Sequence, residues 1–329
     1  APAGRVIAYS RICREAPMGP EGIHHISAMT GDAAANVDFY ARVMGLRMVK
    51  RTVNQDDPTV YHLFYGDEHG SPGADLTFFE YPRLPRGRAG EGMIHRIVWR
   101  VADDEAIGYW EERLAHEGVG TERAGGRLRF EDPEGLGHEL AAVTTDDEPL
   151  AAAHAEVPAR MALRGFHGVR AYSSRPERSR SMLAEVLGFL PDGDGWEARG
   201  VVRGGRYAYD PPPGARPLRG AGTVHHVAWG VDGQAISDWR GLVAGAGLGP
   251  TPVIDRHYFR SVYFLEPAGV MFELATMGPG FAVDEDPEHL GESLALPPDF
   301  AHLREQVEPL LSPLPDIRRW RPAGAEAAR

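Results

Sequence analysis

At 329 residues, 43% hydrophobic and 25% charged, the chain has the composition of a globular protein long enough for two ordinary domains, each with its own core. No apolar run approaches the roughly 20 residues of a membrane helix, and a net charge of −12 argues against a general nucleic-acid binder, which needs a basic face for phosphates. The single cysteine, Cys13, excludes an intrachain disulfide, fits a reducing compartment such as the cytoplasm, and leaves any metal to His, Asp or Glu ligands.

Residues 1–21 match nothing downstream and contain no secretory apolar core, so they read as a leader, disordered or non-native, with Met18 as a natural start. The first strand follows in Gly22-Ile23-His24-His25-Ile26-Ser27. The spacing then predicts a helix over Asp32 to Met44, with Ala35, Phe39, Tyr40 and Val43 on one stripe, Asp32 as N-cap and Gly45 just past the end. Val60 to Tyr65 alternates as a strand does.

The same order recurs three times. Ile94-His95-Arg96-Ile97 precedes a helical pattern over Asp103 to His116, Phe166-His167-Gly168-Val169 precedes Pro176 to Leu187, and Val224-His225-His226-Val227 precedes Gln234 to Ala244. From the first histidine to the Gly that closes each helix the offsets are 21, 23, 21 and 22 residues. The unit is a strand and a helix followed by several strands, used four times.

The closing strands repeat as well. Pro133 to Leu140 aligns with Pro267 to Leu274, each with a Glu six residues after its Pro, namely Glu139 and Glu273. Arg96 and Gly168 replace the second histidine in the two middle units, so Glu139 is expected to pair with Arg96 as a structural salt bridge. A histidine of the last unit, Glu273 and a histidine of the first strand can converge on a metal if their strands are neighbours. Side chains alternate along a strand, so one histidine of each pair is expected to face the metal and the other to look away or support it.

The boundaries follow: 22–147 as an N-terminal domain of two units, 148–162 as a linker, 163–277 as a C-terminal domain, and 278–329 as a tail with one helical candidate, Asp299 to Leu311, frayed after Pro322.

On these residues the chain resembles the vicinal oxygen chelate superfamily, an α+β fold of four βαβββ modules in two tandem domains. Within it, Gly22 to Ser27, Met44 to Asn54, Gly222 to Trp229, Asp255 to Phe264 and Gly280 to Glu285 look like the hydroquinone-type ring-cleaving dioxygenases, the 2,6-dichlorohydroquinone 1,2-dioxygenases among them. The resemblance implies His25, His226 and Glu273 as metal ligands, with His24, His225, Arg256, Tyr263 and Ser27 supporting them or facing substrate. Two imidazoles and a carboxylate suit Fe(II), and Mn(II) also accepts them. The implied activity is extradiol-type cleavage of a hydroquinone or related dihydroxylated aromatic by O2, with a histidine or tyrosine moving protons and Arg256 steadying oxyanion charge. A glyoxalase-like isomerase or lyase would add a fourth ligand where spacing from Pro72 gives Phe78, or at Glu80 beyond it. A binding protein of bleomycin-resistance type would need no such triad. A symmetric homodimer is the default assembly.

Overall fold

The computed structural model describes residues 19–322. Most of the expected leader, Cys13 included, and the stretch after Pro322 lie outside the described residues. Module one comprises β1 (Ile23–Thr30), α1 (Ala33–Val37), β2 (Arg47–Asn54), β3 (Asp57–Gly66) and β4 (Asp75–Glu80). Module two comprises β5 (Ile94–Val101), α2 (Asp104–His116), β6 (Thr121–Ala124), β7 (Arg127–Glu131) and β8 (Gly137–Ala142). Module three has β9 (Phe166–Tyr172), β10 (Leu190–Asp192), β11 (Gly195–Arg199) and β12 (Gly204–Asp210). Module four has β13 (Thr223–Val231), α3 (Ile236–Gly245), β14 (Ile254–Asp255), β15 (Arg260–Leu265) and β16 (Met271–Thr276).

Local signals act as the sequence suggests. The Asp32 carboxylate accepts from the Ala35 N–H and that of Asp103 from the Ala106 N–H, capping α1 and α2. The chain leaves the first helical segment through Gly45 at φ 67°, a conformation that suits glycine. Beyond Val37 the first helix widens to a π turn over Asp38–Val43, and module three repeats that turn over Met182–Val186. The helix expected over Pro176 to Leu187 is accordingly two short pieces, Pro176–Ser179 and Met182–Val186. The spacing before the closing strands also has a cause. Asp132 accepts from the N–H groups of Glu134 and Leu136, and Glu266 from those of Ala268 and Val270, so each carboxylate holds the Pro-Gly turn that follows it.

The strands form two eight-stranded sheets, in the orders β14-β15-β16-β13-β1-β4-β3-β2 and β10-β11-β12-β9-β5-β8-β7-β6. The first sheet therefore joins modules one and four, and the second joins modules two and three. Consecutive halves of the chain do not each own a sheet, because each half gives one module to both. In every module the opening strand pairs in parallel with the closing one, and two opening strands meet antiparallel at the centre of each sheet.

Those central seams are irregular in the same way four times. Along the β1–β13 seam Ile23 faces Trp229 while His25 faces Ala228, and Ser27 faces His226 while Ala28 faces Val224, which leaves His24 and His225 as extra residues. The β5–β9 seam repeats this, leaving out His95 and His167. The recurring histidine thus marks a β-bulge in each module, whether or not a ligand follows it.

A continuous apolar core with Trp99, Trp110 and Trp229 fully buried spans both sheets and the helices. A smaller cluster of Val49, Phe64, Ala228, Tyr258, Phe259, Ala275, Phe281 and Leu290 covers part of the first sheet's other face. There the tail folds back: the fully buried Lys50 ammonium donates to Asp284 Oδ1 at 2.7 Å, to the Phe281 carbonyl at 3.1 Å and to Glu285, and stands 4.8 Å over the Tyr258 ring. The expected tail helix is a broken helical stretch, Pro298–Leu303, Arg304–Val307 and Glu308–Leu310.

Candidate metal centre

The seam of the first sheet brings β1, β13 and β16 side by side, and with them His25, His226 and Glu273. Among the described residues these three form the one group of His, Cys, Asp or Glu whose ligand atoms all lie within 4.8 Å of one another. His25 Nε2 is 3.1 Å from His226 Nε2 and 3.2 Å from Glu273 Oε2, and His226 Nε2 is 2.9 Å from the same oxygen. Glu273 is completely buried, and neither carboxylate oxygen receives a hydrogen bond of proper geometry. Burial alone would raise its pKa, but the His25 and His226 rings hold it well below the usual carboxylate range. A buried carboxylate without donors and two converging ring nitrogens are what a divalent cation would satisfy, and the donor set fits one.

The bulges account for the other two histidines. In a regular strand His24 and His25 would point to opposite faces. Instead His24 Nδ1 lies 3.0 Å from His25 Nδ1, and His225 Nδ1 lies 2.8 Å from His226 Nδ1. His24 Nε2 faces the Thr276 carbonyl at 3.2 Å, and a carbonyl only accepts, so that nitrogen carries the proton. Burial, with repulsion from His25 added, lowers the His24 pKa to about 3, so the ring is neutral and its Nδ1 must accept. The proton between the two rings then belongs to His25 Nδ1, so a metal held here would be met by the Nε2 of His25, the ring atom aimed at Glu273 and His226.

The cavity beside this group is about 440 Å³ including its mouth. Its walls include His25, Ser27, His226, Arg256 and Tyr263 from the expected set, together with His62, Phe79 and Phe259. His24 and His225 do not line it, and each stands behind a candidate ligand. The Arg256 guanidinium lies 5.7 Å from the centre of the Tyr263 ring and reaches Asp56 at 3.2 Å across the mouth. Burial raises the Tyr263 phenol above its ordinary pKa, Glu273 adds to the rise and Arg256 opposes it.

Strand register settles where a fourth ligand could stand. Val227 faces Phe272 on β16, and the matching Ile26 faces Leu76 on β4, so the module-one counterpart of Glu273 is Thr77. Phe78, which spacing from Pro72 selects, is one residue off and fully buried in the core. Glu80 is held elsewhere by the Ser312 hydroxyl at 3.2 Å and by the N–H groups of Ala33 and Tyr61. In module two Glu139 does pair with Arg96, at 3.4 Å, and also with Arg127 and Arg129 at 2.7 and 2.8 Å. Guanidinium cations stand there where a metal ion would otherwise meet the carboxylate.

A sequence profile of the Glyoxalase/Bleomycin resistance protein/Dioxygenase superfamily matches residues 22–140. "Putative ring-cleaving dioxygenase MhqA" of Bacillus subtilis (strain 168) is 37% identical over 323 residues, covering 90% of this chain and 100% of its own length. The chain belongs to this superfamily. The chlorohydroquinone/hydroquinone 1,2-dioxygenase of Sphingobium indicum is 34% identical over 316 residues, 88% of this chain and 96% of that protein. A crystal structure of a dioxygenase described as putative, from Bacillus subtilis, superposes with a TM-score of 0.82 at 37% identity, covering 90% of this chain and 98% of that one. A glyoxalase I mutant of Zea mays, at 16% identity, TM-score 0.52 and coverage of 78% and 92%, shares the superfamily fold alone. Relatives so named along nine-tenths of the chain support the expected ring-cleaving dioxygenase, an oxidoreductase, and with it dependence on a metal and on an aromatic substrate and O2.

Sequence reading missed His62, Thr77, Phe79 and Phe259. His62 sits in the alternating Val60 to Tyr65 run, on the same side of β3 as Phe64, and parity with a cavity residue was its only signal. No described helix is long and apolar enough to cross a membrane.

Proposed function

We propose that the protein is an Fe(II)-dependent, extradiol-type dioxygenase that opens the ring of a hydroquinone or related dihydroxylated aromatic. The observation that carries this reading is the buried His25, His226 and Glu273 group beside an aromatic-walled cavity, with the short Thr77 at the module-one position that corresponds to Glu273. Bound through those three residues, iron(II) would hold substrate and O2 together and relay electrons from the aromatic ring to O2; Mn(II) accepts the same ligands. The chain's own residues do the rest. Phe79 and Phe259 fix the plane of a flat substrate and keep water out. Arg256 sets a permanent cation beside the cavity, where it stabilises a phenolate in preference to a phenol. Tyr263, its proton held by burial, donates a hydrogen bond toward oxygen charge as it develops. His24, anchored on the Thr276 carbonyl, fixes the Nε2 lone pair of His25, and the His225 ring meets His226 through the same Nδ1-to-Nδ1 contact. A reducing cytoplasm suits an Fe(II) enzyme.

The test is anaerobic reconstitution with Fe(II), then O2 uptake with a panel of hydroquinones and catechols, comparing wild type with Glu273→Ala. Stoichiometric uptake with ring opening, abolished in the variant, is expected. No uptake by wild type with its metal content verified would overturn the reading.

A further inference from the structure

His62 is a half-buried histidine on β3 whose open surface lies in the cavity, and neither the metal group nor the supporting pairs involve it. Two rings hold it in place, with Phe64 at 4.0 Å and Phe79 at 4.2 Å between centroids. Its Nε2 is 3.0 Å from Thr77 Oγ1, which is 2.7 Å from Ser27 Oγ. Nδ1 has no hydrogen-bond partner among the described residues. Burial lowers its pKa well below the ordinary imidazole value, so the ring is a neutral hydrogen-bonding group rather than a cation.

Its position follows from the near-twofold relation of modules one and four. Glu273 reaches the metal group from β16; Thr77, its counterpart on β4, carries only a short hydroxyl and leaves that quadrant free. β3 lies two strands from β1, roughly 10 Å by strand spacing. A planar ring lying from the metal group into the free quadrant has its far end toward His62. The hydroxyl chain behind the imidazole can run in either direction, because Ser27 and Thr77 each donate and accept. His62 can therefore present either N–H or lone pair, unlike His25, whose tautomer a carbonyl fixes.

We infer that His62 is the specificity-determining contact for a second hydroxyl at the far end of the substrate ring, which selects para-diphenols over catechols. The inference rests on the dioxygenase reading for the near end of the ring. Hydroquinone, catechol and 4-methylphenol are titrated anaerobically into metal-loaded wild type, His62→Phe and His62→Gln, with calorimetry for affinity and metal analysis of each sample. Wild type is expected to bind hydroquinone about tenfold more tightly than 4-methylphenol, the size of one neutral hydrogen bond. His62→Phe brings that ratio close to one and leaves catechol affinity unchanged, while His62→Gln, which still donates and accepts, keeps the preference. An unchanged ratio in His62→Phe at native metal content overturns the inference, and so does an equal loss for all three ligands. If His62→Phe yields no soluble protein, Thr77→Val, which removes the anchor of the ring, must lower the ratio in the same way. No turnover enters the readout. Wild type that binds hydroquinone but consumes no O2 counts against the dioxygenase reading and leaves the role of His62 intact.

Discussion

The hydrogen-bond chain through His24 makes a definite claim about metal affinity. His24→Leu removes the acceptor that keeps the His25 proton on Nδ1, so metal binding is expected to weaken about 10- to 100-fold with the fold intact. Chelator competition against wild type measures this, and unchanged affinity would refute it. Asp75 makes another claim, about pH. It is fully buried beside His25 on β4, neither of its oxygens has a hydrogen-bond donor, and burial, reinforced by Asp67, raises its pKa well above the usual value. A raised folded-state pKa means that the unfolded chain gives up this proton first as pH rises, so the group destabilises the fold above about pH 4. Asp75→Asn is therefore expected to gain on wild type by about 1.4 kcal/mol per pH unit from there until the folded carboxyl ionises, and to show no such gain at pH 3. Chemical unfolding across pH 3–8 would read the slope. At this scale the convergence of His25, His226 and Glu273 was legible because they stand in a repeat whose middle copies substitute Arg96 and Gly168. Thr77 was not, because counting from Pro72 misses the strand register by one residue, and His62 was not, because only its parity with Phe64 on β3 marks it.

Lys50 shows what the elements do to each other. Its strand, β2, is an edge of the first sheet, and the tail after β16 folds back to meet it through Asp284, Glu285 and the Phe281 carbonyl. Lys50→Met would leave two carboxylates facing an apolar side chain, at a cost of about 3–5 kcal/mol less the relief that the partly exposed Asp284 finds in water. Earlier proteolysis in the segment after Met277 than in wild type is the expected result; an unchanged digestion pattern would show that the tail is held by its apolar contacts with Phe64 and Tyr258. Helix starts were readable at Asp32 and Asp103 because a capping carboxylate is a local signal. The bulges at His24, His95, His167 and His225 were not, because a bulge exists only in relation to a partner strand, and for β1 that partner is more than 190 residues away.

The whole molecule depends on the nesting of its modules, one with four and two with three. The expected halves, 22–147 and 163–277, can be drawn on the sequence, yet each owns only half of either sheet. Residues 1–147 and 148–329 produced separately are expected to bind no metal, and together to recover a complex with native metal content. A cooperatively folded, monomeric 1–147 fragment would contradict this. Nesting also imposes an order on biosynthesis. β5 and β9 leave the ribosome in succession and can close the second sheet early, whereas β1 waits for β13, and His25 waits 201 residues for His226. The candidate metal pocket is thus complete only once β13 and β16 have followed β1 and the second sheet's strands out of the ribosome, so a metal would meet no complete chelate on the shorter nascent chain, and neither would a competing ion.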